Sequence, residues 1–280
     1  MRHQTSLVKR TLMMRLTLLT ASFFALLASQ STAPAAAHQV AEHEAAAKPT
    51  IVLVHGAFAG SSSWNGVIAN LKLDHYRVIA VANPLRSVKS DAEYIAALLA
   101  EMKGPVVLVG HSYGGEVISV AAAGRPNVTA LVFLAGYAPE MGESGVSLSN
   151  KFPTGTLTET LAPPIELPDG TSDLYIEQDH FWQQFAADVP EVDALGMAMT
   201  QRHVTLEALG EPVKALSCQK VPSSFVWRSL ERNIPTTLHP YMAKSAKARA
   251  AVEIPGASYL VMISHPREVA EMIERAAEAR

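Results

Sequence analysis

Continuous apolar runs without polar alternation recur at residues 50–54, 76–81, 106–109, 128–134, 224–227 and 250–254. Runs of that kind suit strands buried on both faces. Between them lie segments with apolar positions at helical spacing, at 63–71, 90–102, 237–246 and 265–277. The alternation predicts an α/β fold: a mostly parallel, doubly wound sheet with helices on both faces. Local start signals agree. Ser90-Asp91-Ala92-Glu93 reads as a capping box, and Ser264 reads as the N-cap of the last helix, with Pro266 where a helix start tolerates proline.

The rhythm breaks between residues 138 and 220. Residues 138–169 are dense in Pro, Gly, Ser and Thr, and short helices are predicted after them at 176–187, 191–200 and 205–209. An insertion of this length that carries its own apolar residues reads as a helical lid over a pocket. Phe152, Leu157, Tyr175, Phe181, Trp182, Phe185, Met197 and Met199 are available to line a pocket; for any single one packing of lid on sheet is the better reading, and collectively they argue for an apolar chamber.

Ahead of the fold, residues 1–37 read as a signal peptide. Arg2, Lys9, Arg10 and Arg15 form a basic leader, residues 16–27 an apolar core short for a bilayer span, and Ala33-Pro34-Ala35-Ala36-Ala37 a small-residue cleavage region. A retained anchor is the alternative. The Ala-rich polar stretch 38–48 reads as a linker, so the folded domain is expected over 49–280, exported to the periplasm or secreted, with no stable membrane insertion after the signal is removed.

Composition then narrows the chemistry. With 23 Lys+Arg against 26 Asp+Glu and no basic block, the chain lacks the electrostatic footprint of a nucleic-acid binder. Its single cysteine, Cys218, allows no internal disulfide, and no Cys/His cluster has zinc spacing. No metal or organic cofactor is implied.

The most informative stretch is Pro105–Val120. The run Val106-Val107-Leu108-Val109 meets Gly110-His111-Ser112-Tyr113-Gly114, and a small-residue helix opens with Gly115-Glu116-Val117-Ile118. Strand, sharp turn and helix place Ser112 at the apex, with glycines where Cβ atoms would collide with neighbouring elements; such a serine is a candidate nucleophile. After the first strand comes His55-Gly56-Ala57-Phe58-Ala59-Gly60, whose backbone amides can face Ser112. Tyr113 and Ala57, with Phe58 as the alternative to Ala57, are the expected oxyanion-hole donors. His55 reads as a structural residue of its turn, and the His111 side chain should point away from Ser112.

Together VLVHGAFAGSSSW, GHSYGGEVI, Glu231-Arg232-Asn233-Ile234-Pro235 and the tail GASYLVMISHPREVAEMI resemble the α/β-hydrolase fold family, in its small branch of methyl-ester esterases and hydroxynitrile lyases. The resemblance implies a Ser, then Asp or Glu, then His order along the chain. It carries over Ser112, and Glu231 where relatives have Asp; read on its own, Glu231 is equally a solvated charge beside Arg232. At the position where the resemblance implies the catalytic histidine, this chain has Tyr259.

A tyrosine is a poor replacement. Its unperturbed pKa near 10 makes a phenolate at pH 7 cost roughly 4 kcal/mol, and it lacks a second nitrogen through which an acid could orient it. His265 is the nearest substitute base, though its place at a helix start gives it a structural reading; His180 and His203 of the lid are further alternatives, while His75 and His239 read as peripheral. Two functions are therefore expected in competition. One is a serine hydrolase that cleaves a small-to-medium apolar carboxylic ester through an acyl-enzyme, using Ser112, Glu231 and His265. The other is a pseudo-hydrolase that binds an apolar ligand or partner with little turnover. A lyase using Ser112 as a proton relay meets the same lack of a base.

Overall fold

The computed structural model describes residues 48–279, apart from 153, 154, 215, 217–219, 230 and 231. The segment read as a signal peptide, nearly all of the segment read as a linker, Cys218 and Glu231 therefore lie outside the described residues.

The first half of the domain alternates as its hydrophobic pattern predicts. Strands β1 (Thr50–Val54), β2 (Arg77–Val81), β3 (Val106–His111) and β4 (Val128–Leu134) are separated by helices α1 (Asn65–Leu73), α2 (Val88–Ala100) and α3 (Gly114–Ala121). A single 3-10 turn, Ser61–Trp64, precedes α1. The α2 cap lies one turn earlier than expected: Ser87 Oγ accepts the Ser90 amide at 2.9 Å. Asp91 turns inward, fully buried, and its Oδ1 accepts the Arg86 amide at 3.3 Å.

After β4 the chain leaves the sheet. It forms α4 (Gly145–Lys151), strands β5 (Ile165–Glu166) and β6 (Ser172–Leu174), α5 (Gln178–Phe185), α6 (Glu191–Thr200), β7 (Val204–Thr205) and α7 (Leu206–Gly210). The short strands pair as an antiparallel ribbon in the order β5-β6-β7, which two- and three-residue runs are too brief to announce in sequence. This excursion is tied to the loop after β2. Thr205 Oγ1 donates to the Arg86 carbonyl at 2.7 Å, and Arg86 pairs with Asp173 of β6 at 2.8 Å.

The core resumes with β8 (Ser223–Arg228), α8 (Leu238–Ser245), β9 (Ala250–Ile254), α9 (Val261–Ser264) and α10 (Pro266–Glu278). Ser264 is thus the end of a short helix, and His265 occupies the N-cap of α10 with Pro266 directly after it. Six parallel strands form one sheet in the order β2-β1-β3-β4-β8-β9. The central β1 and β3 are buried throughout, whereas the edge strand β9 alternates, which explains why the inner strands read as unbroken apolar runs. Helices α1 with α10, and α2 with α3, pack as pairs on the sheet.

Register decides where the loops meet. Val54 lies opposite Gly110, Gly110 opposite Phe133, and Arg228 opposite Ile254. The turns leaving β1, β3, β4, β8 and β9 therefore converge at one edge of the sheet, where ligands bind in open α/β folds.

Candidate active site

Ser112 sits at the apex of the β3–α3 connection with φ of 54°, in the left-handed region. Three backbone hydrogen bonds hold it there. Its N–H donates to the Leu134 carbonyl at 3.3 Å, and its own carbonyl accepts from Gly115 at 2.9 Å and Tyr137 at 3.1 Å. The flanking glycines are sterically required: a Cβ on Gly110 would lie 2.5 Å from the Gly114 carbonyl oxygen, and one on Gly114 would lie 2.4 Å from that of Val54. A Cβ on Gly56 would meet the Ser112 Cβ at 2.6 Å, so this glycine lets the turn after β1 close on the serine.

That turn is fixed by His55. The Nδ1–H of its ring donates to the Gly56 carbonyl at 2.9 Å while Nε2 accepts from the Asn83 amide at 3.1 Å, an arrangement that requires a neutral ring. Burial, with a lesser contribution from Arg202, holds its pKa down at about 4. Phe58, with φ of 59°, spends its N–H on the Arg202 carbonyl at 2.9 Å. By contrast, the amides of Ala57 and Tyr113 have no hydrogen-bond partner among the described residues, although these residues are only 4% and 0% exposed. Two buried, unspent N–H groups beside a serine hydroxyl suit a developing oxyanion.

The loop after β9 brings in Tyr259, whose phenol O–H donates to Ser112 Oγ. Three neighbours hold the ring. The Arg228 guanidinium lies 4.0 Å from its centroid, and the His111 and Phe185 rings lie 4.9 Å away. Its carbonyl accepts from His111 Nε2 at 3.2 Å and from Arg228 Nη1 at 3.4 Å. Burial dominates the electrostatics. It pushes the Tyr259 phenol above its ordinary range despite the opposing Arg228 charge and the Ser112 bond. Burial, aided by Arg228, also drives His111 down to about 3, so this imidazole is neutral and its Nε2–H is engaged away from Ser112.

The other candidate bases make their contacts elsewhere. His265 Nδ1 lies 2.9 Å from Ser264 Oγ and 3.6 Å from the Asp188 carboxylate. His203 accepts the Tyr175 hydroxyl at 2.7 Å and faces Asp173 at 3.3 Å, while His180 is exposed on α5. His239 is not peripheral; it is buried and stacked on Trp227 at 5.9 Å. Glu231 lies outside the described residues. Asp188, which nothing in the sequence singled out, accepts both the amide (2.9 Å) and the hydroxyl of Ser258, the residue before Tyr259. Arg228 was likewise missed; its one signal is a charge closing an apolar strand.

Ser112 and Tyr259 open into a cavity of about 340 Å³ walled by Ala57, Phe58, Tyr137, Val146, Leu157, Leu161, Leu174, Phe185, Leu206 and Leu209. Of the aromatic and methionine residues expected to line it, Phe185 does, as does Leu157. Phe152 instead packs on Tyr241, Trp182 donates to the Val189 carbonyl at 3.0 Å, and Met199 is exposed. Many of the walls are leucines of the excursion between β4 and β8.

The profile of the alpha/beta hydrolase family matches residues 51–272. The chain belongs to that family. Among curated relatives, it is 26% identical over 259 residues to methylesterase 10 of Arabidopsis thaliana, spanning 81% of this chain and 90% of that protein. It is also 26% identical over 262 residues to a rice esterase, spanning 83% and 97%. The fold superposes on polyneuridine aldehyde esterase with a TM-score of 0.72 at 20% identity, covering 82% of this chain and 99% of that one.

Proposed function

We propose that the chain is a carboxylic-ester hydrolase for small-to-medium apolar esters, exported by its leader to the periplasm or beyond. The observation that carries this reading is Ser112 on its strained turn, facing an apolar cavity with the Ala57 and Tyr113 amides unspent. Its curated relatives named as esterases support the same class. In the proposed reaction Ser112 Oγ bonds to the ester carbonyl carbon as its proton passes to water in the cavity, the two amides hold the oxyanion, and the C–O bond breaks as the leaving oxygen takes a proton from water and departs as the alcohol. Water then attacks the acyl-enzyme to free the acid and restore Ser112.

Tyr259 makes this a slow hydrolase. A general base contributes about 10²–10⁴ in rate, and a phenol held protonated by burial, already donating to Ser112, does not supply that proton transfer. The same contact favours a second reading, ligand binding with little turnover. Hydrolysis of p-nitrophenyl acetate and butyrate, with Ser112→Ala as control, separates them. A rate well above the control supports the hydrolase; equal rates in the two proteins remove the serine mechanism.

A further inference from the structure

The β5-β6-β7 ribbon has a face turned away from Ser112. Asp173 pairs with Thr205 and Leu174 with Val204, so carrying this register on by one residue sets Tyr175 opposite His203. The pleat then divides the ribbon: Leu174 walls the cavity at Ser112, while Asp173 and Tyr175, two residues apart, share the other face with His203. Contacts on that face form a chain. The Tyr175 hydroxyl donates to His203 Nδ1 at 2.7 Å, and His203 Nε2 faces the Asp173 carboxylate at 3.3 Å. A carboxylate beside Nε2 favours the proton on that nitrogen, which leaves the Nδ1 lone pair to the phenol. Asp173 is itself held by Arg86 at 2.8 Å. Carboxylate, imidazole and hydroxyl thus stand in the order that activates an oxygen nucleophile. Solvent reaches the chain: the His203 side chain is 41% exposed, and Tyr175 is only half-buried. Tyr175 lines a cavity of about 420 Å³ with Ile176, Glu177, Asp179, Met199 and Gln201, which shares no wall residue with the cavity at Ser112.

We propose that Tyr175 is an acyl-accepting residue, a covalent modification site for small, uncharged activated esters that works independently of Ser112. Tyr175 Oη bonds to the acyl carbon, its proton passes to His203 Nδ1, and the C–O bond to the leaving group breaks as that group departs with the electron pair. Asp173 stabilises the imidazolium, which gives its proton to water and leaves an ester on Tyr175. Tyr175 Oη makes no other hydrogen bond among the described residues, so its lone pairs are available for this attack. Burial raises the pKa of the phenol and lowers that of His203, so both groups rest neutral and the proton moves only as the acyl bond forms. The carboxylates of Glu177 and Asp179 in the cavity wall select against anionic acyl groups.

The test uses the full chain carrying Ser112→Ala, in which the serine cannot react. It is treated with p-nitrophenyl acetate at neutral pH, and acetyl groups are located over time by peptide mass spectrometry. Tyr94 is the internal reference, being 51% exposed on α2 with no imidazole contact among the described residues. Tyr175 is expected to acetylate about 100-fold faster than Tyr94, the lower end of what a general base contributes. In the same background His203→Gln removes the base and is expected to bring Tyr175 to within about threefold of Tyr94. Tyr175 labelled no faster than Tyr94, or a lead that survives His203→Gln, overturns the proposal. The first comparison needs no change in the ribbon, so it decides the matter even where His203→Gln fails to fold. Because Ser112→Ala is the background throughout, a negative result here leaves the hydrolase reading standing, and an inert Ser112 leaves this site standing.

Discussion

The two ends of the candidate site have been treated differently. At the nucleophile end, every constraint of a reactive serine is met by backbone. Gly110 and Gly114 are required by contacts of 2.5 and 2.4 Å, Ser112 is held with φ of 54°, and two amides wait nearby. At the opposite end, formed by the loop after β9, the loop is equally well held, but what it presents to the serine is a side chain. Asp188 grips Ser258, Arg228 and His111 grip the Tyr259 carbonyl, and the group so carefully aimed at Ser112 is a phenol. The contrast teaches that a turn shaped for a reactive serine and a side chain able to take its proton are separate properties; here the first stands beside a phenol that donates to the serine.

The largest expected effect lies at the nucleophile end. Gly114→Ala puts a methyl group against the Val54 carbonyl oxygen at 2.4 Å, backbone on both sides, and neither β1 nor α3 can yield cheaply. The cost is about 3 kcal/mol, or a fall of roughly 6–12 °C in Tm for a domain of this size. A thermal melt that moves by less than about 2 °C would show that the turn is looser than described.

Next comes the base end. Tyr259→His places an imidazole on the same well-held loop and is expected to raise p-nitrophenyl butyrate hydrolysis about 100-fold, the lower end of what a general base contributes. The adjoining Arg228 guanidinium and deep burial both favour the neutral, base-competent ring. Steady-state kinetics decide it. No gain would mean that this position has lost more than its side chain.

The smallest effect concerns the support beneath the turn. The Tyr113 hydroxyl donates to Asp91 at 2.9 Å, and burial, the main cause, raises the pKa of this carboxyl. Tyr113→Phe leaves Asp91 one donor short at a cost of about 1–2 kcal/mol. Chemical denaturation measures it. Because the Tyr113 amide is untouched, the esterase rate per folded molecule should stay within about twofold; a larger drop would tie the side chain to the chemistry.

These differences also explain what could be read in advance. The inner strands were legible because burial on both faces leaves no polar position to confuse, and the turn was legible because a steric demand for glycine is written locally as Gly110-His111-Ser112-Tyr113-Gly114. The departure at Tyr259 was visible because the resemblance names the position. What was not legible is held by contacts far apart in the chain. Asp188 reaches Ser258 across 70 residues and Arg228 reaches Tyr259 across 31, and no local pattern marks either. The β5-β6-β7 ribbon is too short to show a period, and it is tied in place where Thr205 and Asp173 meet Arg86. The helix starts at the Ser87 cap and not at the expected Ser90, and both serines suit a helix start, so local pattern alone does not choose between them.

The central claim is that Ser112 is partnered by a protonated phenol and not by an imidazole. It is tested most directly by the pH dependence of kcat/KM for p-nitrophenyl butyrate, corrected for the Ser112→Ala rate. Around the serine, His55 and His111 are held down at about 4 and 3, and Tyr259 is pushed above its ordinary range. None of them changes charge between about pH 5 and pH 8, so the profile should show no inflection there. A sigmoidal rise to a plateau with its midpoint between about pH 6 and pH 7 would contradict the claim, because it would place a titrating imidazole, with His265 the first to examine, in control of Ser112.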